Sequence, residues 1–85
     1  MKAADNLAEW GYEDVVVFEN PSYDDALIGV TTDNRAVYNY ALMVEYLVNN
    51  DGFDYEEAVE FIEYNTIRAL PYFEAAPIVI HQLPE

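Results

Sequence analysis

The chain has 85 residues, with 17 acidic side chains against three Lys and Arg, for a formal net charge of −14. It has no cysteine, which excludes a disulfide framework and thiolate metal sites. Hydrophobic residues make up 53% and aromatics 15%, with only three Gly and four Pro. That is more apolar mass than an acidic disordered segment carries, so the chain is expected to fold. One small domain over residues 1–85 follows, marginal because so short a chain buries a limited core. Self-repulsion subtracts further, so its stability is expected to rise with salt. The sign of the charge disfavours an anionic membrane or a nucleic-acid backbone as direct partner. No segment approaches the roughly 20 apolar residues of a membrane span. The first ten residues lack a secretory apolar run, and a cytoplasmic location is expected.

Residues 1–12 read as a loose arm or short helical turn, with Trp10 and Tyr12 as anchors against the core. Val15-Val16-Val17-Phe18 is β-branched and predicts a buried strand, broken by Asn20-Pro21-Ser22. A second strand spans Ala26–Thr31 and a third Ala36–Tyr38. Thr32-Asp33-Asn34-Arg35 between them is a hairpin turn, because Asp and Asn tolerate left-handed backbone. Asn39 is placed to cap a helix over Tyr40–Val48, with Leu42, Met43, Tyr46 and Leu47 on its buried face. Asn49-Asn50-Asp51-Gly52 ends that helix. Asp54 with Glu57 three residues on forms a capping box for a second helix. Ala58, Val59, Phe61, Ile62 and Ile67 mark its buried side, and Pro71 stops it near Leu70. Pro77-Ile78-Val79-Ile80 is a last strand, placed beside Val15–Phe18. The expected architecture is α+β: a small mixed or antiparallel sheet of about four strands with two helices packed on one face.

Three features bear on function. Glu56, Glu60 and Glu63 recur at i, i+4 and i+7 on one helix face, about 6 and 10 Å apart along the axis. No Lys or Arg four residues on neutralises them, and like charges at this spacing repel by about 0.2–0.5 kcal/mol per pair. The stripe reads either as a solvated outer face or as a surface that meets a row of Lys and Arg. Eight tyrosines are the second feature. They supply rigid, amphipathic contact area, and a tyrosine beside a carboxylate suits arginine; half of them are assigned to the core edge. Asp24-Asp25 with Asp33 is the third, read as an Asp-rich turn in preference to a weak cation site. Asn49-Asn50-Asp51-Gly52 fails as an EF-hand. With Gly52 at the glycine position, Leu47 and Ala58 fall where the first and last ligands belong. His81, the single histidine, and Ser22, the single serine, are read as structural, and no base for nucleophilic catalysis is visible beside either. No catalytic residue, metal site or cofactor is expected. Arg68 is expected to pair with an acid and Arg35 to serve the hairpin turn.

The run Ala26-Leu27-Ile28-Gly29-Val30-Thr31 with Arg35-Ala36-Val37-Tyr38, and the run Glu57 to Tyr72, resemble short acidic proteins of unknown function in Gram-positive bacteria, their phages and mobile elements. The resemblance spans roughly residues 14–80 and transfers no functional residue. It implies phage-linked biology, in which small acidic proteins stand in for DNA by charge.

Charge, tyrosines and resemblance together give the expected function. The chain is read as a non-enzymatic binding protein that occupies a basic nucleic-acid-binding surface of another protein. The target class is a phage-defence nuclease such as a CRISPR effector or a restriction enzyme. Glu56, Glu60, Glu63, Asp24 and Asp25 take the place of phosphates, and Tyr55 and Tyr64 are the anchors. The alternative is a homodimeric or antitoxin-like interaction module whose acids serve solubility. A carboxylate-based enzyme or divalent-ion protein is the third reading.

Overall fold

The computed structural model describes residues 7, 9–12, 14–19 and 21–83. After helical backbone at Leu7 and Glu9, the first complete element among the described residues is a 3-10 turn at Asp24–Ala26. Strands β1 (Leu27–Val30) and β2 (Ala36–Asn39) follow, then helices α1 (Tyr40–Asp51) and α2 (Tyr55–Phe61). The chain runs on from α2 as a π turn (Ile62–Thr66) and a 3-10 helix (Ile67–Tyr72) before strand β3 (Ile78–Ile80). The class is α+β; among the described residues two α-helices accompany a mixed three-stranded sheet in the order β1-β2-β3.

The hairpin forms where its turn residues place it. Thr31 N–H donates to the Arg35 carbonyl at 2.8 Å, Arg35 N–H to Thr31 Oγ1 at 2.9 Å, and Asn34 N–H to the Thr31 carbonyl at 3.0 Å. The Thr31 hydroxyl also donates to the Asp33 carboxylate. Asn34 takes the left-handed backbone, φ 64°, that this loop requires. β1 pairs antiparallel with β2, with a bulge between Leu27 and Gly29 that pushes Ile28 outward.

The sheet has three strands where four were expected, and Val15–Phe18 is the one missing. β2 has two edges. The hairpin assigns one to β1, and β3 takes the other, running parallel to β2 through Val37↔Ile78, Tyr38↔Val79 and Asn39↔Ile80. A parallel neighbour needs a long crossover, and α1 and α2 supply it. β3 therefore lies beside β2 and not beside Val15–Phe18. That segment docks through its side chain. The Phe18 ring lies 4.7 Å from Tyr38 and edge-on to Tyr23 at 5.6 Å, while Phe18 N–H donates to the Tyr38 hydroxyl at 3.2 Å.

Both helix caps form as their sequences dictate. Asn39 Oδ1 accepts from Leu42 N–H at 3.0 Å, starting α1. Gly52, φ 72°, ends it in the left-handed conformation that a side chain would strain. At α2 the box is reciprocal: Glu57 N–H donates to Asp54 Oδ1 at 2.8 Å, and Asp54 N–H to Glu57 Oε1 at 3.2 Å. The second helix is α-helical only to Phe61, shorter than expected, because the chain widens there into the π turn Ile62–Thr66, and Pro71, expected to stop the helix, instead lies inside the 3-10 segment that follows. Helical backbone still persists in 3-10 form to Tyr72.

One core joins these elements: Phe18, Tyr23, Ala26, Ala36, Tyr38, Met43, Val44, Leu47, Ala58 and Ile62. Burial on α1 centres on Met43, Val44 and Leu47, leaving the expected Leu42 and Tyr46 half-buried. Tyr23, at φ 51°, is held there by a 2.8 Å hydrogen bond between its hydroxyl and Thr66 Oγ1. Burial pushes the Tyr23 and Tyr38 phenols above the ordinary tyrosine range. At the N-terminal arm the anchor is Leu7, which is buried, whereas Trp10 is 80% exposed and Tyr12 is also exposed. Two backbone bonds to the Leu7 carbonyl, from Trp10 and Tyr12, hold that turn. Residues 1–6 of the expected loose arm lie outside the described residues.

Candidate functional site

The capping box sets where the acidic row begins. Asp54 and Glu57 close the first turn of α2, so Glu56 and Glu60 project from the next positions of its solvent side, and Glu63 follows in the π turn. All three are exposed. Tyr55 and Tyr64 flank them, 69% and 65% exposed. Glu60 is the pivot of the row. It borders a shallow depression with Tyr55, Glu56 and Val59, a second with Glu63, Tyr64 and Arg68, and a third with Phe53, Glu57 and Phe61. The structure thus assembles five of the seven expected binding residues on one surface. Asp24 and Asp25 belong to a different element, the 3-10 turn that packs on α1, and line none of these depressions.

The carboxylates differ in their freedom. Glu57 is committed to the cap, and Glu63 Oε2 accepts from the Tyr40 hydroxyl at 3.1 Å. Glu56 and Glu60 have no hydrogen-bond or ion-pair partner among the described residues. The two described cations are engaged elsewhere. Arg35 Nε donates to the Ala76 carbonyl at 2.8 Å, tying the hairpin to the approach of β3. Arg68, expected to pair with an acid, instead places its guanidinium over the Tyr64 ring, 5.6 Å from the centroid. One face of Tyr64 is therefore covered by the chain's own arginine.

A wider groove of about 680 Å³ lies on the other side of Tyr55. Ala41, Glu45, Val48 and Asn49, at i, i+4, i+7 and i+8, form its α1 wall, with Val44 behind them. The facing wall is the chain just beyond β3. The His81 ring lies 4.5 Å from Tyr40, and Asn39 Nδ2 donates to Gln82 Oε1 at 2.9 Å. Tyr40 joins the groove to the acidic row through its bond to Glu63. Burial of its ring, with that carboxylate beside it, pushes the phenol up to about 12. β3 stops at Ile80, and His81, read from the sequence as structural, stands exposed at this rim. The groove itself was not anticipated. The helical spacing of its α1 wall is readable, but nothing local to residues 41–49 announces residues 81 and 82 across from them.

The tyrosines divide much as expected: Tyr23 and Tyr38 are buried, Tyr40 and Tyr46 half-buried, and Tyr12, Tyr55, Tyr64 and Tyr72 exposed. Ser22 Oγ lies 3.2 Å from the Tyr46 hydroxyl, within hydrogen-bond range. Among the described residues no three His, Asp or Glu side chains gather as a metal site, and no helix is long and apolar enough to cross a membrane.

Fold and surface together describe a small α+β domain with a one-sided carboxylate row. Comparison with protein-family descriptions, characterised proteins and solved structures returns no match to this chain.

Proposed function

We propose that this chain is a non-enzymatic binding protein that covers a basic nucleic-acid-binding surface of another protein. It would act in the cytoplasm, with a phage-defence nuclease such as a CRISPR effector or a restriction enzyme as the target class. The observation that carries the reading is the exposed row Glu56, Glu60 and Glu63, whose central member has no partner within the described chain. Such a row repels itself in the free protein, and a line of Lys and Arg relieves that repulsion on binding. A charge of −14 steers association and makes its rate fall with salt. Tyr55 supplies contact area at one end of the row, and Tyr64 presents the ring face that Arg68 does not occupy. Inhibition is by competition, the carboxylates holding the cations that phosphates would otherwise hold.

The test is a pull-down with the folded chain, followed by displacement with duplex DNA and with salt. A nucleic-acid-binding protein released by both supports the reading. The triple variant Glu56→Lys, Glu60→Lys, Glu63→Lys should then lose the partner while keeping a cooperative melt. Retention of the partner by that variant sinks the proposal.

A second reading, self-association as a homodimeric or antitoxin-like module, is favoured by the outer sheet face. The register places Val37, Ile78 and Ile80 on the side opposite Tyr38 and Val79, next to Ile28, which is 43% exposed. Light scattering at low and high salt tests it. A dimer unaffected by salt supports it, and a monomer at both removes it.

A further inference from the structure

The geometry points to the groove between α1 and the chain beyond β3 as a binding site for an arginine side chain of the basic partner. The inference rests on the reading that such a partner exists, and it names where one of its cations is held. An arginine is amphipathic, with an apolar stem and a planar, always charged head. The groove is built the same way. Ala41, Val44 and Val48 give an apolar strip for the stem, and Glu45, one turn from each of Ala41 and Val48, gives an exposed carboxylate for the head. Aromatic faces line the rest: Tyr55, and His81 with Tyr40 at 4.5 Å. A guanidinium stacks on such rings while donating in plane to a carboxylate. Charge complementarity selects the occupant. No Lys or Arg lines the groove, its charged side chain is Glu45, and Glu63 stands behind Tyr40 through the 3.1 Å hydroxyl bond. An anionic or purely apolar occupant would leave Glu45 uncompensated.

The walls are preformed. Asn39 both caps α1 and holds Gln82, and Tyr40 is fixed by His81 on its ring and Glu63 at its hydroxyl. The wall built by Asn39, Tyr40 and Gln82 therefore gives up little rotamer freedom on filling. Tyr55 borders both the groove and the first depression of the acidic row, so a partner laid along Glu56 and Glu60 has the groove within reach of a neighbouring residue.

The test is a titration of the isotope-labelled full chain, followed by backbone and ring NMR shifts. The probes are an acetylated, amidated Gly-Arg-Gly peptide, its lysine counterpart, and the citrulline version, which keeps the shape and loses the charge. The expected result is that shifts for the arginine peptide concentrate at Ala41, Glu45, Val48, Tyr55 and His81. Lysine should bind more weakly, and citrulline should leave those signals unmoved. Glu45→Gln should weaken arginine binding about threefold to fivefold, the scale of a partly exposed charged pair, without altering the melt. Equal shifts from arginine and citrulline, or shifts confined to Glu56–Glu63, overturn the inference. The partner assay separates the two levels. A salt-released partner bound equally well by Glu45→Gln overturns the groove and leaves the acidic row standing. Arginine binding in the groove with no basic partner recovered upholds the site and removes the reading of the partner.

Discussion

Glu60→Lys is the substitution that most directly separates an acidic row kept for binding from one kept for solubility. Glu60 lies four residues after Glu56 and three after Glu57, so both acids face it across one turn of α2. Each pair now repels by about 0.2–0.5 kcal/mol and would attract by a similar amount with lysine in place, a swing of about 0.4–1 kcal/mol per pair. These two pairs within α2 give about 0.8–2 kcal/mol at low salt, with the lower end expected for side chains this exposed, and Glu63, three residues on in the π turn, acts in the same direction. The order Glu56 before the new lysine is the favourable one for the helix dipole. In a domain of this size about 1 kcal/mol raises Tm by about 4–8 °C. Thermal melts followed by circular dichroism, at about 20 mM and about 500 mM salt, read the effect, and the gain should shrink as the Debye length falls. A Tm that stays the same or drops at low salt would refute the claim that this row is electrostatically strained. If the row serves binding, the same variant should be more stable and bind its partner less well. Added stability with undiminished binding points to a solubility role.

Three further outcomes follow from the packing. Asp54→Ala removes one half of the capping box and should cost about 1 kcal/mol, seen as a lower urea midpoint with an unchanged slope. Ile62→Ala opens a cavity at a fully buried position where α2 passes into the π turn. Its cost of about 2–5 kcal/mol is a large part of the roughly 4–13 kcal/mol expected of 85 residues, so calorimetry should show Tm lowered by at least about 8 °C. Tyr40→Phe bears on pH. The Tyr40 phenol is pushed up to about 12 from an ordinary value near 10, so its contribution to stability is complete below about pH 10 and fades as pH rises toward 12. The raised Tyr23 and Tyr38 phenols act in the same direction. Wild-type stability should therefore fall over that alkaline window, and an ultraviolet titration of Tyr40→Phe should lose one late-ionising tyrosine.

What the sequence by itself determined is local. Asn39 and Gly52 set the first helix to within a few residues and the Asp54–Glu57 box sets the start of the second, because a cap is a bond between groups three or four residues apart. The hairpin loop is local in the same way, closed by Thr31, Asp33 and Asn34 within five residues of chain. The carboxylate row needed only helical spacing and the absence of cations four residues on. Tertiary structure decided everything that depends on competition between distant segments. Val15–Phe18 has the composition of a strand, but β2 offers two edges and two other segments fill them, so Phe18 is held by rings and not by a ladder. The path of the chain beyond α2 depends on the core and not on Pro71 alone, since Thr66 in the π turn meets the Tyr23 hydroxyl across 43 residues. The groove is the furthest case. Its walls come from residues 39–49, 55 and 81–82, and only the parallel placement of β3 beside β2 carries His81 to Tyr40. A surface assembled that way has no signature in any one stretch of chain, because neither wall requires the other until the sheet order is fixed.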